Sequence, residues 1–478
     1  MAGLKDFSMS FTNSKSKTLS KNKKKINIGV MGNFSGVSKG LDGIRHRIFR
    51  INIDVFDDII AKIKPSAEVS LPNNQQLKMS FECLDDFHPD TILKKYDFES
   101  LAHSLSKFLD NLKHNKPKVE VVAVDNDESS ELLDVLMSKG ITVETETTEE
   151  TSREPFIDKL LEDAVKSHIV YKDLKGKADK EQKEELFGIL MRNILHDREF
   201  SELESLWRSI SFLMENIEFD EDDYNLYLID ISKETLGKDL LEVDKLEESL
   251  IYKVLADEQS AISGVNWNLL IGNYSFGINA LDINLLEQIG RLSSKLNVPL
   301  IAAAETHVPL CFDKELKLSE CFNLTPELQT KWKKLRLSKD SKNIGLAFPR
   351  YLLRYPYGEK DNPIDSFNFE ELGSKPEQED FLWGNSAFLC ACILGSNIFN
   401  CNWNAVLGRM IKINDLPMVI IDAKEENVIV PTAEAWITDR KLDEIQALGL
   451  SAIVPIRNDN AVYVNFQTLY SHTPSFKI

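Results

Sequence analysis

Short continuous apolar runs, set between polar stretches, are the feature that most constrains the fold of this 478-residue chain. Such runs are typical of strands buried on both faces of a sheet. Helical periodicity intervenes between them, as in Leu281–Leu296. Six runs within residues 155–478 follow this pattern: Tyr227–Ile231, Asn268–Tyr274, Pro299–Ala304, Ile344–Phe348, Pro417–Ile421 and Ala452–Ile456. The alternation predicts an α/β fold, with α+β as the alternative.

Composition divides the chain into four parts. Residues 1–25 are rich in lysine and poor in large apolar groups, which predicts a mobile basic tail. Residues 26–115 and 155–478 read as two modules, each with mixed sheets flanked by helices. Residues 116–154 between them are dense in acidic and hydroxyl side chains. We interpret this stretch as an acidic linker region that contains a strand at Val119–Val124.

Two helix starts carry capping signals. Asp90 follows Pro89 ahead of a helical stretch, and we expect it to cap that helix. Ser201 and Glu204 have capping-box spacing at the start of a second helix, which places Trp207 on its apolar face.

The charge and the cysteines limit the partners and the compartment. The net charge is -19, from 57 basic and 76 acidic residues, and it repels nucleic acid and anionic lipid. No apolar run approaches the roughly 18 residues of a membrane helix. Cys390 and Cys392 lie in an apolar run and are expected to be buried thiols, as in a reducing cytoplasm. We therefore expect a cytoplasmic protein without nucleic-acid or membrane partners.

Two motifs invite a chemical interpretation, and each has a structural alternative. The glycine-spaced loop Gly29–Gly40 follows a strand, but it lacks the Gly-Lys-Ser/Thr ending of a P-loop and the GxGxxG spacing. A turn beside an interface is the alternative to an anion site. The polar cluster Asp85, Asp86, His88 and Asp90 is either a metal site or a set of caps and turns. We favour the structural interpretation of both, which predicts no enzyme, no cofactor and no metal.

Three apolar-aromatic blocks carry arginines or an asparagine among large apolar residues: Phe200–Met214, Gly345–Gly358 and Phe381–Leu389. An arginine in such a setting needs carboxylate or carbonyl partners. Either it forms an ion pair within its own domain, or it forms one between protomers that is remade when an assembly changes shape. The candidate assembly or core residues are Trp207, Arg208, Pro349, Arg350, Arg354, Tyr357, Trp383 and Asn385.

These blocks resemble the two sheath subunits of bacterial type VI secretion. Residues 26–115 are similar to the small subunit (TssB or VipA), through VMGNFSG, RIFRINIDVFDDIIAKIKP and MSFECLDDFHPDTI. Residues 155–478 are similar to the large subunit (TssC or VipB), through ILHDREFSELESLWRSISFLMEN, LRLSKDSKNIGLAFPRYLLRYPYG, FLWGNSAFL and PTAEAWITDRKLDEIQALGLSAIVP.

The resemblance implies a structural subunit that polymerises with itself around an inner tube protein. It further implies strand exchange between protomers, contraction that ejects the tube, baseplate partners and an AAA+ ATPase that recycles the contracted form. The stretch comparable to the helix that this ATPase recognises, Pro155–Asp173, is internal here, which leaves that route open.

The chain departs from the pattern in two ways. Both modules lie on one chain, and the sequence ends at Ile478 without the further C-terminal region of related large subunits. The alternative is therefore a non-polymerising adaptor, cap or baseplate-associated component of the same apparatus.

Overall fold

The computed structural model describes residues 25–114, 179–217, 224–260, 266–305, 318–322, 325–373, 376–398, 407–422 and 427–472. Residues 1–24 and the acidic linker region, including Val119–Val124, lie outside the described residues, as does the stretch Pro155–Asp173.

Strands and helices follow one another in a mixed order. The strands are β1 (Ile26–Gly32), β2 (Ile48–Ile51), β3 (Ser66–Ser70), β4 (Gln76–Ser80), β5 (Tyr224–Asp230), β6 (Trp267–Phe276), β7 (Leu300–Ala304), β8 (Ile344–Phe348), β9 (Tyr351–Leu352), β10 (Trp383–Gly384), β11 (Met410–Ile413), β12 (Val419–Asp422), β13 (Asn427–Val430), β14 (Ser451–Pro455) and β15 (Val462–Asn465). The helices are α1 (Phe56–Ile63), α2 (Pro89–Lys95), α3 (Phe98–His114), α4 (Asp179–Leu195), α5 (Arg198–Asn216), α6 (Lys233–Leu241), α7 (Leu250–Ser260), α8 (Ala280–Leu296), α9 (Leu318–Cys321), α10 (Pro326–Leu337), α11 (Ala387–Ile398) and α12 (Asp439–Leu448).

Nine strands form one mixed sheet in the order β11-β15-β14-β8-β7-β6-β1-β5-β2. The six central strands, from β14 to β5, are mutually parallel. The outer pairings, β11 with β15, β15 with β14, and β5 with β2, are antiparallel. Helices α5 and α11 pack on one face, and α6, α7, α8, α10 and α12 pack on the other. This arrangement confirms the predicted mixed α/β class.

The strand from the beginning of the chain lies in the middle of this sheet. β1 pairs with β5 on one side and with β6 on the other, so that Val30 lies opposite Leu228 and Ile271. All seven of its residues are buried. The two predicted modules therefore contribute strands to a single sheet, with β1 and β2 from the first and the remaining seven from the second.

Close packing explains one glycine of β1. A Cβ atom on Gly29 would lie 2.8 Å from the Cδ2 atom of Leu270, so the Leu270 side chain would have to move. The absence of a side chain at this position lets β6 and its side chains close against β1.

Most predicted elements are confirmed, including the helix at Leu281–Leu296. The strand predicted at Pro417–Ile421 also forms, but the prediction that it lies in the centre of the main sheet is wrong. Among the described residues, this run forms β12 and pairs with β13 in a separate two-stranded sheet, rather than forming a central strand. Ile420 in it is 50% exposed. A short apolar run predicts a strand, but it does not fix which sheet the strand joins. Cys390 and Cys392 are buried in α11, as expected.

Candidate functional site

Helix α5 begins one turn earlier than its capping signal predicted. The Asp197 carboxylate caps it by accepting hydrogen bonds from the Glu199 and Phe200 N–H groups, at 2.9 and 3.2 Å. The predicted capping box at Ser201 and Glu204 is therefore wrong, because both residues lie inside the helix. Glu204 is fully buried and is used as an ion-pair partner instead.

Arg354 lies at the centre of a buried charge cluster. Its Nη1 and Nη2 atoms donate to the two carboxylate oxygens of Glu371 at 2.7 and 2.9 Å. Its Nε donates to Glu204 Oε1 at 3.0 Å. The guanidinium also lies over the Tyr357 ring, 4.3 Å from its centroid. One buried arginine thus makes two charge-assisted hydrogen bonds within the segment that contains residues 354–371 and a third that joins this segment to α5.

Arg208 completes this group, which we call the junction cluster: Glu204, Arg208, Arg354, Tyr357 and Glu371. Arg208 Nε donates to Glu204 Oε1 at 2.7 Å, and its Nη2 lies 3.3 Å from the Tyr357 hydroxyl. Arg208 and Arg354 therefore both have partners within the chain, as the intradomain interpretation predicts.

The electrostatics of the cluster favour a charged Glu371. Burial by itself raises the pKa of Glu371, but the nearby Arg354 charge, the hydrogen bonds from Arg354 and the nearby His196 lower it to about 2. The Tyr357 N–H also donates to Glu371 Oε2 at 2.6 Å. Burial raises the pKa of Tyr357 to about 12, which keeps its hydroxyl protonated. Glu371 is therefore ionised and Tyr357 is protonated near neutral pH, and each is held by hydrogen bonds within the cluster.

A histidine at the end of α4 lies beside the cluster. His196 Nδ1 is 3.3 Å from Asp380 Oδ1, and its Nε2 is 3.7 Å from Glu371 Oε1. Both carboxylates are almost completely buried. The carboxyl end of α4 is therefore fixed on the same segment as Arg354.

Arg350 forms a second, separate ion pair. Its Nε and backbone N–H donate to the two oxygens of Glu434, both at 2.8 Å. Gln378 Nε2 donates to the same carboxylate at 2.6 Å. Glu434 is buried, whereas 41% of the Arg350 side chain is exposed. Arg350 therefore connects the end of β8 to the strand-like residues that precede α12.

The remaining residues of the later blocks are in structural hydrogen bonds. Pro349, which follows a cis peptide bond, accepts a hydrogen bond from Ser386 Oγ at its carbonyl. Trp383 Nε1 donates to the Gln378 carbonyl at 2.8 Å. Asn385 accepts from the Ala387 N–H at 2.9 Å and donates to the Tyr274 carbonyl at 3.3 Å. These side chains fix the N-terminal end of α11 against β6 and β9.

Trp207 connects α5 to the N-terminal part of the chain. It is fully buried, and its ring makes edge contacts with Phe34 and Phe56 at centroid distances of 5.4 and 6.0 Å. Phe34 lies in the loop after β1, and Phe56 begins α1. The aromatic residues fill the core between the two parts of the chain, with no side left open for a stacked ligand.

The polar cluster near α2 is a docking turn. The N-cap of α2 is His88, whose Nδ1 accepts from the Asp90 N–H at 3.2 Å, so the expectation that Asp90 is the cap is wrong. The Asp90 carboxylate instead accepts hydrogen bonds from the Asp365 N–H at 3.1 Å and the Ser366 N–H at 2.9 Å. The Asp86 carboxylate accepts from the Glu82 N–H and Lys95 Nζ. These contacts match the caps-and-turns interpretation of the cluster.

The glycine-rich loop is also occupied by the chain itself. The Ser35 N–H and Oγ both lie within hydrogen-bond distance of Asp230 Oδ1, at 3.2 and 3.3 Å. Gly36 has a φ of +75°, and a Cβ there would lie 2.1 Å from the Ser66 carbonyl oxygen. A buried carboxylate thus takes the place that an anion would need, and the loop serves as a turn against β3.

The acidic partners of these contacts were missed by sequence reasoning. Glu371, Glu434 and Asp230 are buried carboxylates whose partners are far away in sequence. Glu204 pairs with Arg208 one turn along its own helix, and its second partner, Arg354, is distant. The only local signal was the presence of the arginines among apolar residues, which required partners but did not identify them.

Within the described ranges, no group of three or more His, Cys, Asp and Glu side chains is arranged to hold a metal ion. Nor does any helix in the described part of the chain have the length and apolar character needed to cross a membrane.

Comparison with known proteins agrees with this two-part construction. Residues 181–470 match the family model of VipB, described as EvpB/VC_A0108, tail sheath N-terminal domain. Residues 12–134 match the family model described as type VI secretion system, VipA, VC_A0107 or Hcp2. The type VI secretion system sheath protein TssC1 of Pseudomonas aeruginosa is 30% identical over 289 residues, which are 58% of this chain and 57% of that relative.

A single sheet shared by both parts of the chain, together with these matches, defines the class as a sheath protein of type VI secretion. The chain belongs to the VipB tail-sheath family and joins a TssB-like part to a TssC-like part. It spans a little over half the length of the curated relative that it matches.

Proposed function

We propose that the chain is a structural subunit of a contractile sheath, which assembles with copies of itself around an inner tube and ejects that tube by contraction. The observation that carries the proposal is the central place of β1. A TssB-like strand inserted in the TssC-like sheet joins the two parts by backbone hydrogen bonds on both of its sides, which suits a subunit under mechanical load.

The ends of the nine-stranded sheet support contacts between copies. β2 and β11 each have a sheet partner on only one side within the described residues. Exposed apolar side chains lie beside them, with Ile53 at 54% after β2 and Met410 at 41% on β11. Unpaired strand edges next to apolar residues suit strand addition by another protein chain.

One observation favours the alternative, a non-polymerising adaptor, cap or baseplate-associated component. Both edge strands are only four residues long, and each carries an exposed basic residue, Arg50 on β2 and Lys412 on β11. Short edges with charged residues are typical of sheets that are protected against further pairing.

The other parts of the proposal follow from the same role. We propose a cytoplasmic location, the baseplate and the inner tube as partners, and a AAA+ ATPase that recycles the contracted assembly. We propose no catalytic activity and no cofactor, because the strongly perturbed titratable groups serve as buried ion pairs and core residues.

Negative-stain electron microscopy of the purified chain tests the proposal. We expect long, regular tubes at high protein concentration. Discrete particles that bind the tube or baseplate would contradict the sheath role and support the adaptor. A solitary particle that turns over a small molecule would contradict both.

A substitution pair locates the contact. If β11 takes part, Met410→Asp should shorten or abolish the tubes, since a charge at this edge opposes apolar association. Leu337→Asp is the matched control, because Leu337 is 48% exposed at the end of α10, outside the edge strand. Equal tube length in both variants would exclude β11 as the contact.

A further inference from the structure

The turn formed by residues 88–90 makes two contacts from the TssB-like part to the TssC-like part. The His88 ring makes an edge contact with the Tyr357 ring at a centroid distance of 5.1 Å. Two residues later, the Asp90 carboxylate accepts hydrogen bonds from the backbone of Asp365 and Ser366, and one from the Ser366 hydroxyl. A change within this turn therefore acts on the connection between the two parts.

The geometry requires a neutral His88. Its Nδ1 accepts the Asp90 N–H at 3.2 Å, and a ring nitrogen that accepts carries no proton. This hydrogen bond is also the cap of α2. Adding a proton at Nδ1 would turn the acceptor into a donor and abolish the cap.

A protonated Nδ1 would find its nearest acceptor in the docking carboxylate. Asp90 Oδ2 lies 3.6 Å from His88 Nδ1, and the same oxygen accepts from the Asp365 N–H at 3.1 Å. The imidazolium would compete with the Asp365 amide for that oxygen, and a charged donor forms the stronger hydrogen bond. Protonation therefore draws Asp90 toward its own helix and away from the TssC-like part.

Several charges face His88. Burial is the largest influence and lowers the pKa of His88, and Arg208 and Arg354 lower it further across the contact with Tyr357. Asp90 and Asp85, on its own side, raise it, and the net direction is downward. The folded chain thus favours the neutral ring, in agreement with the hydrogen-bond geometry.

We propose that residues 88–90 form a proton-operated latch between the two parts of the chain. When His88 is neutral, the Asp90 carboxylate accepts hydrogen bonds from the Asp365 and Ser366 amides. When His88 is protonated, Asp90 binds the imidazolium instead, and the hydrogen bonds to the two amides break. Because the folded state disfavours the proton, the contact is complete above the ordinary histidine pKa of about 6.5. It weakens as the pH falls below that value and through the lower folded-state pKa.

Hydrogen exchange in the full chain tests the latch. Protection factors of the peptide that contains Asp365 and Ser366, corrected for the intrinsic pH dependence of exchange, are compared at pH 7.5 and 5.5. We expect wild-type protection to fall by up to about tenfold, because pH 5.5 lies one unit below the ordinary pKa. His88→Asn should show no such fall, since asparagine can cap α2 but does not titrate.

Two further variants make the result decisive. His103→Asn removes an exposed histidine of α3 and should keep the wild-type fall. Asp90→Asn should give low protection at both pH values, because it lacks the carboxylate over which the two donors compete. The latch is excluded if the wild-type peptide shows no fall, or if His88→Asn or Asp90→Asn shows the same fall as the wild type.

Discussion

Strand β1 and the turn at residues 88–90 both join the TssB-like part to the TssC-like part, but by different forces. β1 is buried along its whole length and has backbone ladders on both sides. The turn holds a partly exposed backbone segment through one carboxylate and one ring contact. The first connection cannot open without exposing the sheet core, whereas the second is the one that we propose opens alone. We call the connection through β1 the permanent joint and the proposed latch at residues 88–90 the adjustable joint.

The largest effect is expected from a charge in the permanent joint. Val30→Asp places a carboxylate between β5 and β6, where Val30 is fully buried. We expect a loss of about 5 kcal/mol or more, comparable to the whole stability of many domains. The free energy of unfolding in urea measures it, or the yield of folded protein if none remains.

The control for that change is Val37→Asp, in the loop after β1, where the side chain is 53% exposed. It should change the free energy of unfolding by less than about 0.5 kcal/mol. Similar losses in the two variants would show that burial of β1 does not hold the parts together.

An intermediate effect is expected in the junction cluster. Glu371→Gln removes the bidentate partner of the buried Arg354 and should destabilise the chain by about 3–5 kcal/mol at pH 7. Glu370→Gln, at the exposed neighbouring position, is the matched control for denaturant unfolding.

The pH dependence of the Glu371 contribution has a definite sign. Its folded pKa, about 2, lies below the ordinary glutamate value of about 4.3, so the contribution is present above that value. It is lost as the pH falls toward 2. A wild-type advantage over Glu371→Gln that grew on acidification would contradict the ion-pair account.

The smallest of the three effects is expected in the adjustable joint. Asp90→Asn weakens the hydrogen bonds from Asp365 and Ser366 and should cost about 1–2 kcal/mol. Burial by itself raises the pKa of Asp90, but these hydrogen bonds outweigh burial and lower that pKa overall. The wild-type advantage should therefore be largest near pH 7, shrink as His88 takes up a proton below about pH 6.5, and disappear in acid. Urea unfolding of both proteins between pH 3 and 7 measures it, and a constant difference would contradict this assignment.

The sequence predicted the local elements well. The apolar run Ile344–Phe348 predicted β8, and helical spacing in Leu281–Leu296 predicted α8, because hydrophobic periodicity is a local property. It could not place β1 between β5 and β6, whose residues are about 200 and 240 positions away. Parallel pairing over such distances leaves no mark in either strand.

Only part of the candidate site could be predicted, because its arginines carry a local signal and their distant partners do not. Arg208, Arg350 and Arg354 signalled buried ion pairs, since a guanidinium among apolar residues needs a partner. The partner Glu371 has no distinguishing neighbours in sequence. Glu204 carried a misleading signal, because its spacing from Ser201 imitates a capping box while Asp197 forms the actual cap.

Native-state hydrogen exchange of the full chain tests most directly whether the two parts share one sheet. We predict that the amides of Ile28 and Val30 exchange only on global unfolding, with the same free energy as those of Leu228 and Ile271 in β5 and β6. Faster exchange of β1 amides, through an opening that leaves β5 and β6 protected, would contradict the account.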